Sequence, residues 1–225
     1  MEKLESRIGY AFQNRDFLNT AITHSSYANE NKAAGVVCNE RLEFLGDAVL
    51  GYVTAEYLYE RFPDLPEGRM TRLRAELVCE RSLNFVATQI SLGEYLRLGR
   101  GEENNGGRAR PSIKADAVEA LLAAIYLDGG IEPAKRFVRR FIFDGFEAGD
   151  MGFILDYKTD LQELVQKKSG RILEYRVTSE SGPDHDKTFI ASVALHDGAS
   201  AQGEGKSKKE AEQMAAKAAL EMLHS

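Results

Sequence analysis

The stretch NERLEFLGDAVLGYVTAEYLYERF, residues 39–62, decides the reading of the fold. Its apolar residues include Leu42, Phe44, Leu45, Val49, Leu50, Val53, Tyr57 and Leu58, and they cover most sides of a helix. A helix apolar on most faces is expected to be central, surrounded by others. Pro63 and Pro66 end it, because proline lacks the backbone donor a helix interior needs, and Pro66 is suited to opening the next one.

Working outward, helical spacing recurs on both sides. Residues 3–12 (Leu4, Ile8, Phe12) and 15–23 (Phe17, Leu18, Ala21) read as helices, as do 66–80 and 81–91. GRGEENNGGRARPS, residues 99–112, reads as a polar glycine-rich loop. IKADAVEALLAAIYLDG then forms a helix of short residues stopped by Asp128-Gly129-Gly130, and an amphipathic helix runs from 132 to 148. No strand pattern precedes residue 150, so the first 150 residues are expected to be all-α.

Carboxylates interrupt these apolar helices at telling intervals. At about 100° per residue, Glu40, Glu43 and Asp47 fall within roughly 60° of one another. Asp116 and Glu119, three apart, sit on a second helix that is otherwise almost wholly apolar. Like charges so placed repel, and burial adds a desolvation penalty. Two readings relieve that cost. A divalent cation such as magnesium or manganese suits hard oxygen ligands from facing helices. Alternatively, the carboxylates pair with Arg41, Arg72 or Arg74, and spacing alone leaves both readings open.

After Gly149-Asp150 the texture changes. A helix over about 156–168 leads into the strand-like ILEYRVTS, and Gly182-Pro183-Asp184 signals a turn. TFIASVAL places Phe189, Ala191, Val193 and Leu195 on one face, and Asp197-Gly198 marks a hairpin. A weak strand, ASAQGEG, precedes a helix from Ser207 to about Leu223. The expected order is α-β-β-β-α. Lys206, Lys208 and Lys209 crowd the start of the last helix, where the macrodipole prefers negative charge, so a phosphate site is the natural reading.

Composition sets outer limits. The 225 residues are 43% hydrophobic and 28% charged, ordinary for globular chains. A net charge of -6 argues, by itself, against a nucleic-acid binder. Two cysteines, Cys38 and Cys79, cannot build a disulfide framework or a four-cysteine zinc site, which points to free thiols in a reducing, cytoplasmic setting. No signal peptide is evident, and no apolar run reaches the roughly 18 residues of a membrane span, so no membrane association is expected.

NERLEFLGDAVL closely resembles the signature of bacterial ribonuclease III. RARPSIKADAVEALLAAIYLDGG resembles that family's second acidic block, and THSSYANE and LPEGRMTRLRAELV are similar to further parts of it. The C-terminal segment resembles a double-stranded-RNA-binding domain. The resemblance implies an all-α endonuclease domain over 1–150, followed by a small α+β RNA-binding domain over 155–225. It implies metal ligation by Glu43, Asp47, Asp116 and Glu119, with Asp47 and Glu119 most directly catalytic and Glu40 and Glu67 supporting cleavage. The cofactor implied is Mg2+, for which Mn2+ may substitute. Gln162, Glu163, Gln166 and His185 would meet minor grooves, and Lys206, Lys208 and Lys209 the phosphates between them, reading duplex shape with little sequence information. Phe44 matches the family's ball-and-socket contact in a homodimer. The activity implied is hydrolysis of double-stranded RNA to 5′-phosphate and 3′-hydroxyl ends with short 3′ overhangs, in processing of ribosomal and some messenger and transfer RNA precursors.

A non-catalytic duplex-RNA-binding protein on the same scaffold is the rival. Loss of any of Glu43, Asp47, Asp116 or Glu119 would favour it, and all are present. His24-Ser25-Ser26 has no carboxylate placed in sequence to orient the histidine, so a structural role is expected. Gly99-Arg100-Gly101 follows no strand and completes no dinucleotide fingerprint, although Arg100, Arg108 and Arg110 are candidates for touching phosphate.

Overall fold

A computed structural model describes residues 1–148, 157–169, 173–183, 187–195 and 199–224. The chain divides into two compact units, Met1–Phe153 and Ile154–Ser225.

The first unit is helical: α1 (Glu2–Ile8), α2 (Arg15–Ala21), α3 (Ser25–Glu30), α4 (Glu40–Arg61), α5 (Glu67–Leu77), α6 (Glu80–Gln89), α7 (Arg100–Asn104), α8 (Pro111–Gly129), α9 (Ile131–Val138) and α10 (Asp144–Ala148). A π-helical turn, Arg139–Phe143, joins the last two. Among the described residues of this unit, the β contact recorded is a single bridge between Thr23 and Arg97.

The expectation that residues 39–62 form the surrounded helix is corrected. That place belongs to α8, which packs against α2, α4, α6 and α9 and buries Ile113, Val118, Leu121, Leu122 and Ile125 together with five alanines. Helix α4 buries Leu42, Val49, Leu50, Val53 and Leu58, yet leaves Phe44, Tyr52 and Tyr59 at 81%, 55% and 73% exposure. Its outer apolar residues are therefore a free face rather than core. Short side chains on α8 let neighbouring helices approach closely, which is why the alanine-rich helix and not the aromatic-rich one sits in the middle.

Two local expectations also change. The segment 99–112 is not a plain loop: Arg100–Asn104 is a short helix and Gly107–Ala109 a 3₁₀ turn. Its first N–H groups are met from α3, with Gly99 N–H donating to Ser26 Oγ and Arg100 N–H to Glu30 Oε1. Arg108 and Arg110 are tied to Glu103 and Glu102, so the fold uses them internally.

The second unit contains α11 (Tyr157–Ser169), an antiparallel sheet in the order β1 (Tyr175–Ser181), β2 (Thr188–Ala194), β3 (Ser200–Gly205), and α12 (Lys208–His224). Ala191 and Val193 are buried as the alternation predicts. Leu161, Val165, Val193, Ala201, Ala215, Ala216 and Ala219 make its core. Gly203 lies so close to α12 that a Cβ would stand 2.0 Å from the Ala215 nitrogen, so this glycine serves helix–sheet packing. The Asp197-Gly198 turn lies outside the described residues. No helix among the described residues is long and apolar enough to cross a membrane.

Candidate functional site

The N-terminus of α4 is held by the segment before α3. Asn39, buried at the head of the helix, donates its N–H to Thr23 O at 2.8 Å and its side-chain amide to Ala21 O at 3.3 Å. This anchoring presents the first two turns of α4 to the middle of α8. Between Glu43 and Asp47 stands Gly46, and the backbones meet there: a Cβ on Gly46 would lie 1.9 Å from the Glu119 carbonyl oxygen.

Carboxylate oxygens of Glu43, Asp116 and Glu119 consequently lie within 4.8 Å of one another. Burial, then the charges of Asp47, Glu43 and Asp116, push the Glu119 carboxyl up to about 7. Burial and the charges of Asp116 and Glu40 raise Glu43. Burial also raises Asp116, with His24 opposing and Glu80 adding to the rise. The charges that shift these three groups are those of other carboxylates and of His24 on Asp116, with no lysine or arginine among them. Three partly buried carboxylates so gathered form a donor set that fits a hard divalent cation.

The other predicted acids are placed differently. Asp47 is exposed on the next turn of α4 and acts on Glu119 through its charge. Glu40 is exposed in the first turn, where the helix dipole favours it, and raises Glu43. Glu67 is not brought to the cluster. It accepts from Thr71 Oγ1 at 2.9 Å and lines a separate cleft with Ala55, Leu58, Tyr59, Met70 and Arg74. Ala55 and Tyr59 are about 12 to 18 Å along the axis of α4 from Asp47.

Sequence reasoning missed Gly46 and the neighbours of Asp116. A glycine in mid-helix is unfavourable by itself, and that local cost was the available signal. His24 has the expected structural role: its Nδ1 accepts from the Ser26 N–H at 3.2 Å and caps α3.

In the second unit Lys206, Lys208 and Lys209 are exposed at the start of α12. A capping box shapes this end: Ser207 Oγ accepts from Glu210 N–H at 3.1 Å, and the Glu210 carboxylate accepts from Lys206 N–H at 2.7 Å. Lys206 Nζ lies 3.4 Å from Thr188 Oγ1, and Lys208 lies over the Phe189 ring. On α11, Gln166 is exposed, whereas Gln162 is half-buried and its Oε1 accepts from Leu173 N–H at 3.0 Å. The Glu163 side chain and His185 lie outside the described residues.

Comparison with known proteins agrees with both halves. Residues 14–146 match the Ribonuclease-III-like family, and residues 157–223 match the double-stranded RNA binding motif. Ribonuclease 3 of Desulforamulus reducens is 51% identical over 224 residues, covering 98% of this chain and 90% of that protein. Ribonuclease 3 of Oceanobacillus iheyensis is 47% identical over 221 residues, covering 98% and 97%. The solved nuclease domain of ribonuclease III from Campylobacter jejuni is similar with a TM-score of 0.61 and 43% identity, covering 65% of this chain and 98% of that one; its description concerns flexibility in a region involved in dimer formation.

Proposed function

The chain belongs to the ribonuclease III family and is an endoribonuclease for double-stranded RNA, and from that premise we propose how its residues divide the work. Glu43, Asp47, Asp116 and Glu119 form a magnesium site, with Asp47 and Glu119 nearest the chemistry and Glu40 supporting. The observation that supports this reading is the meeting of the Glu43, Asp116 and Glu119 carboxylates from two helices within 4.8 Å of one another. When bound, the cation would supply positive charge at the scissile phosphate and a water of lowered pKa.

The chain's own contribution is rigid placement. Glu43, Asp116 and Glu119, fixed on α4 and α8, already converge as hard-oxygen donors, and their negative charge keeps anionic RNA away until it is compensated. Magnesium or manganese suits the group better than zinc, since no histidine or cysteine belongs to it. Water attack leaves 5′-phosphate and 3′-hydroxyl ends.

Lys206, Lys208 and Lys209 hold backbone phosphates across a groove, with Gln162, Glu163, Gln166 and His185 at the flanking minor grooves. The working form is a homodimer. Its support is the free apolar face of α4, on which Phe44 protrudes and the cleft of about 240 Å³ beside Glu67 offers a receiving hollow. Two sites on one duplex produce staggered cuts with short 3′ overhangs. The domain limits we adopt are 1–150 and 155–225, the setting is cytoplasmic, and the substrates are ribosomal RNA precursors with some messenger and transfer RNA precursors.

The test is a cleavage assay of the full chain on end-labelled duplex RNA with magnesium, with calcium and with chelator, beside a single-stranded control. Duplex-only cutting that requires magnesium and leaves 5′-phosphate ends is expected. Binding of duplex without cutting in magnesium or manganese would overturn the reading in favour of a non-catalytic binder.

A further inference from the structure

Arg139 and Arg140 are adjacent in sequence, and the fold treats them oppositely. Arg139 is saturated, with Nε 3.0 Å from Asp144 Oδ1, Nη2 3.1 Å from Glu147 Oε2, and its guanidinium over the Tyr57 ring. Arg140 has no carboxylate partner among the described residues; its guanidinium lies 4.9 Å from the centroid of the Phe141 ring. Both lie in the π-helical turn Arg139–Phe143, and successive helical residues point about 100° apart, so the two side chains meet different surroundings.

Arg136, four residues before Arg140, is likewise without a carboxylate partner among the described residues. The two arginines line one cleft of about 180 Å³, whose other walls include Gly9, Tyr10 and Phe137. Like charges at this helical spacing repel, and an anion held between them offsets that repulsion. The nearby carboxylate of Asp128 does not serve. It is already taken by Tyr10 Oη at 2.7 Å and by the N–H groups of Gln13 and Asn14, each at 2.8 Å. Gly9 caps α1 in the left-handed region at φ +73°, and a Cβ there would lie 2.6 Å from Arg140 Nη1. The glycine leaves the space that the Arg140 guanidinium occupies.

We propose that this cleft binds a phosphate group, gripped by Arg136 and Arg140, at a site separate from the acidic cluster. Two planar guanidinium forks match the oxygens of a tetrahedral anion. The site stands apart from the scissile position: Asp128, beside the cleft, is nine residues and about 14 Å along α8 from Glu119. The phosphate belongs either to the backbone of duplex RNA or to a free phosphate ester. The proposal does not rest on the nuclease reading.

The test uses the full chain in chloride buffer with chelator. Calorimetry with inorganic phosphate compares wild type, R136Q/R140Q and R136K/R140K, and filter binding of a duplex RNA is run over a salt series. The glutamine pair is expected to weaken phosphate binding at least tenfold with an unchanged melting curve, and the lysine pair to recover part of it. If duplex affinity falls as well and the salt slope becomes shallower by about 1 to 2, the phosphate is that of the RNA backbone. Unchanged duplex binding with lost phosphate binding assigns a free ester. Equal phosphate binding by wild type and the glutamine pair, or no saturable binding by wild type, overturns the proposal. Should the glutamine pair fold poorly, R140Q alone is read against the same criteria.

Discussion

Gly46 of α4 and Glu119 of α8 touch through their backbones, with no room for a Cβ between them: one built on Gly46 would stand 1.9 Å from the Glu119 carbonyl oxygen. This contact sets the helix separation at the level where Glu43 and Asp47 face Asp116 and Glu119. The obstructing atom is backbone within a helix, so no side-chain rotation relieves a clash.

Gly46→Ala is therefore expected to pry α4 from α8. Overpacking of this kind costs about 1–3 kcal/mol, and the displaced carboxylates should bind divalent cations at least tenfold more weakly. Urea unfolding and calorimetric titration with manganese measure the two effects. Wild-type stability and affinity in the variant would show that the helices can separate without cost.

Glu119→Gln removes one charge from a mutually repelling group while keeping its shape. Cleavage should be lost, duplex binding through the second unit retained, and the metal-free protein no less stable than wild type. Cleavage gels, filter binding and thermal melts in chelator check this division. Parallel loss of cleavage and duplex binding in a folded variant counts against it.

The raised Glu119 carboxyl has a consequence for stability with a definite sign. Its folded value of about 7 lies above the ordinary 4.5, so between these values the folded state holds more protons than the unfolded state. Stability from this group is complete below about 4.5 and is lost as pH rises to about 7. In chelator, wild type should lose stability relative to Glu119→Gln across that window, and saturating magnesium should abolish the difference. A flat difference between the two proteins would be inconsistent with the raised value.

Phe44 stands 81% exposed, so Phe44→Asp should alter protomer stability by no more than about 0.5 kcal/mol. Sedimentation velocity is expected to show a monomer for the variant where the proposed homodimer predicts a dimer for wild type, with activity falling at low protein concentration. A dimeric variant would remove Phe44 from the interface.

Replacing Lys206, Lys208 and Lys209 together by glutamine should weaken duplex binding and make the salt slope shallower by up to about 3. Stability should hold or rise slightly, because cations at a helix N-terminus oppose the macrodipole. Filter binding across a salt series and a thermal melt provide both readings.

Much of this protein was legible from its sequence because the relevant physics is local. Backbone geometry alone puts Glu40, Glu43 and Asp47 on one side of α4, and proline and glycine punctuation marks the ends of α4 and α8. Alternation likewise exposed the buried face of β2. What needed tertiary structure were relations between distant segments. Periodicity could not say that α8 rather than α4 is surrounded, since an apolar face turned toward a partner and one turned toward the core look alike in sequence. Nor could it say that Glu119 joins Glu43 whereas Glu67 stays apart, that Arg108 and Arg110 are spent on Glu103 and Glu102, or that Arg136 and Arg140 share a cleft with Gly9. Spacing along one helix is dictated by its own hydrogen bonds, but contact across some seventy residues is decided by how closely the side chains between two helices allow them to pack, and at Gly46 that is decided by the absence of one.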